Sequence, residues 1–316
     1  MDMKELSSIL QQNGIVGAGG AGFPTYAKLD QRAETIILNC AECEPLLRLH
    51  RQLLEKYARE IVDTFHLVGQ AVGAKEVIIG IKKAYKQTIE AVESVIGEYP
   101  EVRLGLLDEV YPAGDEVVLI YEVTGKVVRP GGLPIESGVA VFNVETIYNV
   151  WRAMNQQTPV VDKLVSVVAE VEHPVTVRVP IGTTIEEVVA LAGGTTVKDP
   201  VYFIGGPMMG FGMFDLNVPT TKTSTALLAL TQDDVSAMEP SPCINCGRCV
   251  EACPGRIVPS LLATYAEHFD EESFVEHNGM ECCECGCCSF VCPAKRPLTQ
   301  EIKSMRKIQL AKKKKK

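Results

Sequence analysis

The feature that most constrains this chain is a cysteine run that occurs twice near its C-terminus. PCINCGRCVEACPGR places Cys243, Cys246, Cys249 and Cys253 as C-x2-C-x2-C-x3-C-P. MECCECGCCSFVCPAKRP repeats that spacing with Cys282, Cys285, Cys288 and Cys292. Each run gathers three thiols on one short loop and then meets a proline, Pro254 or Pro293, that turns the chain away. A segment this dense in thiols folds around whatever the thiols hold.

The spacing is that of bacterial-type ferredoxins, in which two runs ligate two [4Fe-4S] clusters and the fourth cysteine of each crosses to the other cluster. On that pattern Cys243, Cys246, Cys249 and Cys292 take one cluster, and Cys282, Cys285, Cys288 and Cys253 the other. Zinc sites more often pair Cys-x2-Cys or Cys/His couples set further apart. A disulfide framework belongs to secreted chains, and no signal peptide opens this one. Cys283 and Cys287 fall outside the repeat and read as thiols packed beside a cluster rather than as ligands.

With 316 residues the chain has room for two or three cored domains. No uninterrupted apolar run is long enough to span a bilayer. A net charge of −9 makes nucleic acid a poor general partner. The basic stretch from Lys295 to Lys316 reads as a helix end and a solvated lysine tail. Twelve cysteines in a leaderless chain point to a reducing cytoplasm.

Ahead of the cysteines the pattern is α/β. A short helix over 3–13 leads into Gly14-Ile-Val-Gly-Ala-Gly-Gly-Ala-Gly-Phe-Pro-Thr25. Gly17, Gly19, Gly20 and Gly22 free this loop of Cβ atoms, so its N–H groups can approach a phosphate, with Lys28 adding a charge. No Gly-Lys-Ser/Thr follows, so it is not a Walker A loop, and no strand precedes it as a Rossmann fingerprint requires. A strand over Glu34–Cys40 delivers Asn39, Glu42, Cys43 and Glu44 at its carboxyl end, where open α/β sheets bind ligands. Helices over 46–73 and 83–96 alternate with strands over 76–81 and 102–107. Tyr111-Pro-Ala-Gly114-Asp115-Glu116 reads as a loop that a plain turn explains equally well. A strand over 139–142 runs into Asn143-Val-Glu-Thr146 and a helix to about 155. Residues 160–163 read as a linker. A hairpin, a helix over 183–192 with Thr184 and Glu187 in capping-box spacing, and a strand at YFIGGPMMG then suggest a small β-grasp module. Helices over about 257–268 and 297–310 complete the cysteine domain.

VGAGGAGFPTYAKL, LNCAECEP, YPAGDE and FNVET, in that order, resemble the flavin-binding subunit of respiratory complex I. They are more similar to the C subunit of the Rnf complex and the cobalamin reductase of propanediol utilisation. The resemblance implies three parts: an α/β FMN- and NADH-binding domain over 1–160, an SLBB-type β-grasp module over 164–222, and an α-helical dicluster ferredoxin-like domain over 236–311, with a basic tail at 312–316. It implies that Gly17, Gly19, Gly20, Gly22 and Lys28 hold FMN. Asn39, Glu42 and Glu44 line the ring and ribityl side. Tyr111, Gly114, Asp115 and Glu116 lie near flavin and nicotinamide, with Glu116 as the catalytic carboxylate, and Asn143 and Thr146 close the site. Phe142 stands where relatives often carry a second Asn, and Cys40 and Cys43 sit near the proposed flavin. The likeness starts at the flavin domain and stops soon after the second cysteine run. On this reading the likeness is expected to leave out the Rnf proteins' N-terminal extension and the cobalamin reductases' C-terminal part.

The expected function is electron transfer among NAD(H), FMN and two [4Fe-4S] clusters, to or from a partner reductase, ferredoxin or Rnf-type membrane complex. The expected setting is the cytoplasm, peripheral to such a complex or inside a microcompartment. A flavin-free relay and a corrinoid reductase are the alternatives. His50, His66, His173, His268 and His277 are scattered and read as structural.

Overall fold

A computed structural model describes residues 1–232 and 237–313. The last three lysines of the expected tail lie outside the described residues. The chain divides into two compact units, Met1–Val128 with Leu133–Thr231, and Arg129–Gly132 with Gln232–Lys316.

The first unit opens with α1 (Met3–Gln12), whose Leu6 and Leu10 are fully buried. The chain then alternates: β1 (Thr35–Cys40), α2 (Leu49–Val72), β2 (Glu76–Lys82), α3 (Lys86–Ile96), β3 (Val102–Leu107), α4 (Glu116–Thr124), β4 (Val139–Asn143) and α5 (Val144–Gln156). The four strands are parallel in the order β3-β2-β1-β4. β1 reads TIILNC because a central parallel strand buries both faces. Ile36 and Leu38 pack into a core with Leu54, Phe65 and Ile147, while Ile37 points the other way, toward Leu119 and Ile120 of α4. Each fully buried Leu or Ile contributes about 1.5–3 kcal/mol.

The sequence pattern did not predict α4. Its Val117-Val118-Leu119-Ile120 run carries no clear helical period. The helix forms because Asp115 caps it, its carboxylate accepting from Val117 and Val118 N–H at 3.1 Å each. The strand topology also needs a crossover there, since β4 lies on the far side of β1 from β2 and β3.

The β-grasp part follows as β5 (Asp162–Ala169), β6 (Val175–Pro180), α6 (Ile185–Leu191), β7 (Val201–Ile204), β8 (Phe211–Met213) and β9 (Ala226–Leu230). The hairpin is β5–β6, and Thr184 and Glu187 form the reciprocal capping box. The sheet order is β6-β5-β9-β7-β8, with β9 central, parallel to β5 and antiparallel to β7. The sheet that holds the expected module, 164–222, also takes in Asp162 and Ala226–Leu230. The expected linker at 160–163 enters β5 at Asp162, and the central strand lies beyond 222. ALLAL gives no period that separates a buried strand from a helix, so only its pairing reveals it.

The second unit holds α7 (Arg248–Glu251), α8 (Pro259–Glu267), α9 (Glu271–Glu276), α10 (Cys287–Phe290) and α11 (Leu298–Lys313). Leu262, Phe274, Leu298, Ile302 and Met305 form its apolar centre. The two cysteine runs share one backbone. Asn245 and Glu284 have φ of 54° and 58°, and Gly247 and Gly286 have 78° and 85°. The N–H groups of Asn245 and Glu284 each donate to the sulfur of the run's first cysteine at 3.4 Å.

Candidate functional site

In the strand order β3-β2-β1-β4, the connections leave β1 in opposite directions. The crevice between the carboxyl ends of β1 and β4 is thus the topological switch point, where open parallel sheets bind ligands. Asn39 and Asn143 are register partners at this edge. The glycine loop lies against it: Ala18 N–H donates to Thr146 Oγ1 at 2.9 Å. A Cβ on Gly19 would sit 2.8 Å from the Asn143 amide nitrogen, so only glycine permits that approach. A Cβ on Gly20 would meet nothing within 4 Å, which leaves the crest of the loop facing open space. Gly17 N–H donates to Phe23 C=O at 2.8 Å, and Gly22 N–H to Gly17 C=O at 3.1 Å, closing the loop on itself. Lys28 donates to Val141 C=O of β4 at 2.9 Å and pairs with Glu116 at 3.2 Å. Both side chains remain partly exposed, Lys28 at 31% and Glu116 at 43%.

The remaining expected residues build the walls. Asn39 donates to Gly114 C=O at 2.9 Å, and Gly114 leaves room for the Cys43 sulfur. Burial raises the Asp115 carboxyl above its ordinary value, against the two helix N–H groups that favour its charge. Glu42 is turned to the start of α2, where it accepts from His50 N–H at 2.8 Å and pairs with Arg51. Glu44 reaches the β-grasp turn, accepting from Met208 and Met209 N–H at 2.9 and 3.0 Å. A Cβ on Gly206 would collide with Glu44's carboxylate. Burial raises the Glu44 carboxyl. Tyr111 OH lies 3.5 Å from Glu44. Phe142 points into the core, 3% exposed, so an Asn there would be buried. Burial also pushes the Cys40 thiol well up and the Cys43 thiol up.

The histidine pattern did not single out His50. Asn143 Oδ1 accepts from the N–H groups of Glu145 and Thr146 at 2.9 and 3.4 Å, which fixes its amide. Its Nδ2 therefore donates to His50 Nε2 at 3.0 Å, and the ring's proton sits on Nδ1. That Nδ1 is buried with no partner among the described residues. Nothing in the sequence around His50 signals this, because its partner lies on another strand's end.

In the second unit, one cavity is walled by Cys243, Cys246, Cys249 and Cys292. Another is walled by Cys253, Cys282, Cys285 and Cys288, together with Cys283 and Cys287. The grouping is the crossed one that the run spacing predicts. Among the described residues no three His, Cys, Asp or Glu side chains converge on a single metal ion. The thiols instead ring two cavities.

This combination of a switch-point crevice under a glycine loop and a thiol-rich helical unit defines an electron-transfer flavoprotein fold. Residues 10–152 match the Nuo51 FMN-binding domain, and residues 164–212 match the SLBB domain. Cobalamin reductase PduS of Salmonella typhimurium is 38% identical over 309 residues, covering 92% of this chain and 68% of that protein. The C subunit of the Na(+)-translocating ferredoxin:NAD(+) oxidoreductase complex of Acetobacterium woodii is 33% identical, covering 96% and 70%. Its counterpart in the proton-translocating complex of Clostridium ljungdahlii is 35% identical, covering 97% and 68%. The chain belongs to this family of PduS-type reductases and Rnf-type C subunits. An NAD+-reducing [NiFe]-hydrogenase shares the fold, with a TM-score of 0.67 at 20% identity, over 98% of this chain and 61% of that one. Among the described residues no helix is long and apolar enough to cross a membrane.

Proposed function

We propose that this chain passes electrons between NAD(H), an FMN in the switch-point crevice and two [4Fe-4S] clusters in the thiol-lined cavities, serving a redox partner protein. The carrying observation is the pair of cavities whose walls divide the eight run cysteines into the two crossed sets. A bound flavin supplies the conversion between a hydride's electron pair and the single electrons that iron–sulfur clusters carry.

The chain's own residues supply position and charge. N–H groups at Gly19 and Gly20 face a phosphate, Gly17 and Gly22 close the loop that presents them, and Lys28 adds its charge beside them. Thr146 and Asn143 hold the loop at the sheet edge. Asn39, Gly114 and Tyr111 line the ring side of the crevice. Asp115 and Glu42 start the helices that wall it, and Glu44 clamps the β-grasp turn against it. Glu116, exposed at the mouth, orders Lys28 and the dinucleotide's ribose. The eight cysteines serve as thiolate ligands.

The test uses Lys28→Met with two ligands. Losing a charge-assisted contact costs about 1.5–3 kcal/mol, or roughly ten- to a hundredfold in affinity. FMN binding should weaken by that factor, while riboflavin, which lacks the phosphate, should bind unchanged. Equal losses for both would remove the phosphate assignment. Anaerobic NADH should then bleach flavin and iron–sulfur absorption together, and flavin-loaded protein that does not bleach would refute the dehydrogenase reading. The likeness to cobalamin reductase PduS supports a second reading, with a corrinoid as acceptor. Reoxidation of NADH-reduced protein by added cob(II)alamin would distinguish it.

A further inference from the structure

The ligand pattern leaves two cysteines of the second run over, and the first run has no counterpart to them. Because the runs share one backbone, Cys283 and Cys287 occupy the positions of Ile244 and Arg248. Four thiols wall the first cavity, whereas six wall the second. Cys283 and Cys287 line that second cavity together with Cys285. Cys287 is the first residue of α10, directly after Gly286 at φ 85°, and lines one cavity with Cys285, Cys288 and Cys253. It therefore stands among three of the four ligands of its site.

We propose that Cys287 is a reserve ligand, so that the second site keeps its cluster when Cys285 is lost and the first site has no such protection. The inference rests on the two-cluster reading above. In the exchange, the iron left without Cys285 bonds to Cys287 Sγ, the Cys287 thiol gives its proton to solvent, and no electron moves. A thiolate is favoured over solvent as the substitute because it is already inside the cavity, so its local concentration is high.

The experiment is iron and sulfide analysis, with EPR of the reduced state, on the full chain reconstituted anaerobically. Wild type and Cys285→Ala should each hold about eight irons, and Cys246→Ala and Cys285→Ala/Cys287→Ala about four. One EPR signal of Cys285→Ala should shift, since one ligand has changed position, while the other stays as in wild type and reports an intact fold. The mirror variant Cys246→Ala/Arg248→Cys should recover about eight irons, because it installs the reserve thiol in the first site. Cys285→Ala at about four irons, or Cys285→Ala/Cys287→Ala still at about eight, would overturn the proposal. A wild type well short of about eight irons would instead overturn the two-cluster reading itself.

Discussion

Asn143 joins the fold to the proposed flavin site, and two substitutions separate its roles. Its Oδ1 caps α5, its Nδ2 donates to His50, and its side chain lies against Gly19. Asn143→Ala removes the cap, worth about 1 kcal/mol. It also strands His50 Nε2 in a buried setting, at about 1–3 kcal/mol. The sum, about 2–4 kcal/mol, lowers the melting midpoint by roughly 5–10 °C for a unit of this size. Asn143→Asp keeps the acceptor at the helix N-terminus, where a negative charge is favoured by about 0.3–1 kcal/mol. His50 can move its proton to Nε2 and donate to the new carboxylate, so this variant should melt within about 2 °C of wild type. The same carboxylate lies beside the loop, however, and should repel a phosphate, weakening FMN at least about tenfold, or about 1.4 kcal/mol. The single tryptophan, Trp151, lies on α5 itself, 5.7 Å from the Tyr148 ring, so its fluorescence in flavin-free protein follows this unit alone. The reasoning fails if Asn143→Asp melts as low as Asn143→Ala, or if it binds FMN as tightly as wild type.

Three further outcomes follow from the same structure. Gly22→Ala should cost about 1–2 kcal/mol for its left-handed φ of 64°, plus a clash with Thr223 Cγ2 at 2.8 Å; adding Thr223→Ser should relieve the clash and leave the backbone cost, as denaturant midpoints would show. Lys163→Met should destabilise the first unit by about 3–5 kcal/mol, because it leaves Glu145 charged and 2% exposed, and Lys163→Met/Glu145→Met should melt much closer to wild type. Arg152, bonded to both oxygens of Asp162 at 2.7 and 2.9 Å, holds that carboxyl below its ordinary value of 3.8. A depressed carboxylate adds stability that is complete above its ordinary value and is lost as acid protonates the folded form. The wild-type midpoint, followed by Trp151 fluorescence, should thus fall more steeply below about pH 4 than that of Asp162→Asn, and parallel profiles would refute the pairing.

Much of this protein was legible in local sequence. The cysteine spacing encodes two thiol-lined cavities because each loop wraps its own three sulfurs and only the fourth must travel. The apolar run of β1 signals a central parallel strand because both of its faces are buried. The Thr184–Glu187 box closes within one helical turn. Within the glycine loop, Gly19 is required because a backbone this close to Asn143 tolerates no Cβ there.

What the tertiary structure decided depends on partners far apart in the chain. Whether Ala226–Leu230 is a strand is settled by its place between β5 and β7, since its composition suits either state. The helix at Glu116–Thr124 follows from a cap and from the need to cross to the far side of β1. NCAECEP shows two glutamates close together, but only the fold sends Glu42 to the start of α2 and Glu44 to the β-grasp turn. His50 is an ordinary helix residue until the register of β1 and β4 brings Asn143 within 3.0 Å. Sequence determines what can be satisfied within a turn or a loop. Where a buried donor, carboxylate or strand edge must find its partner across the chain, the packing of the whole unit determines which one it meets.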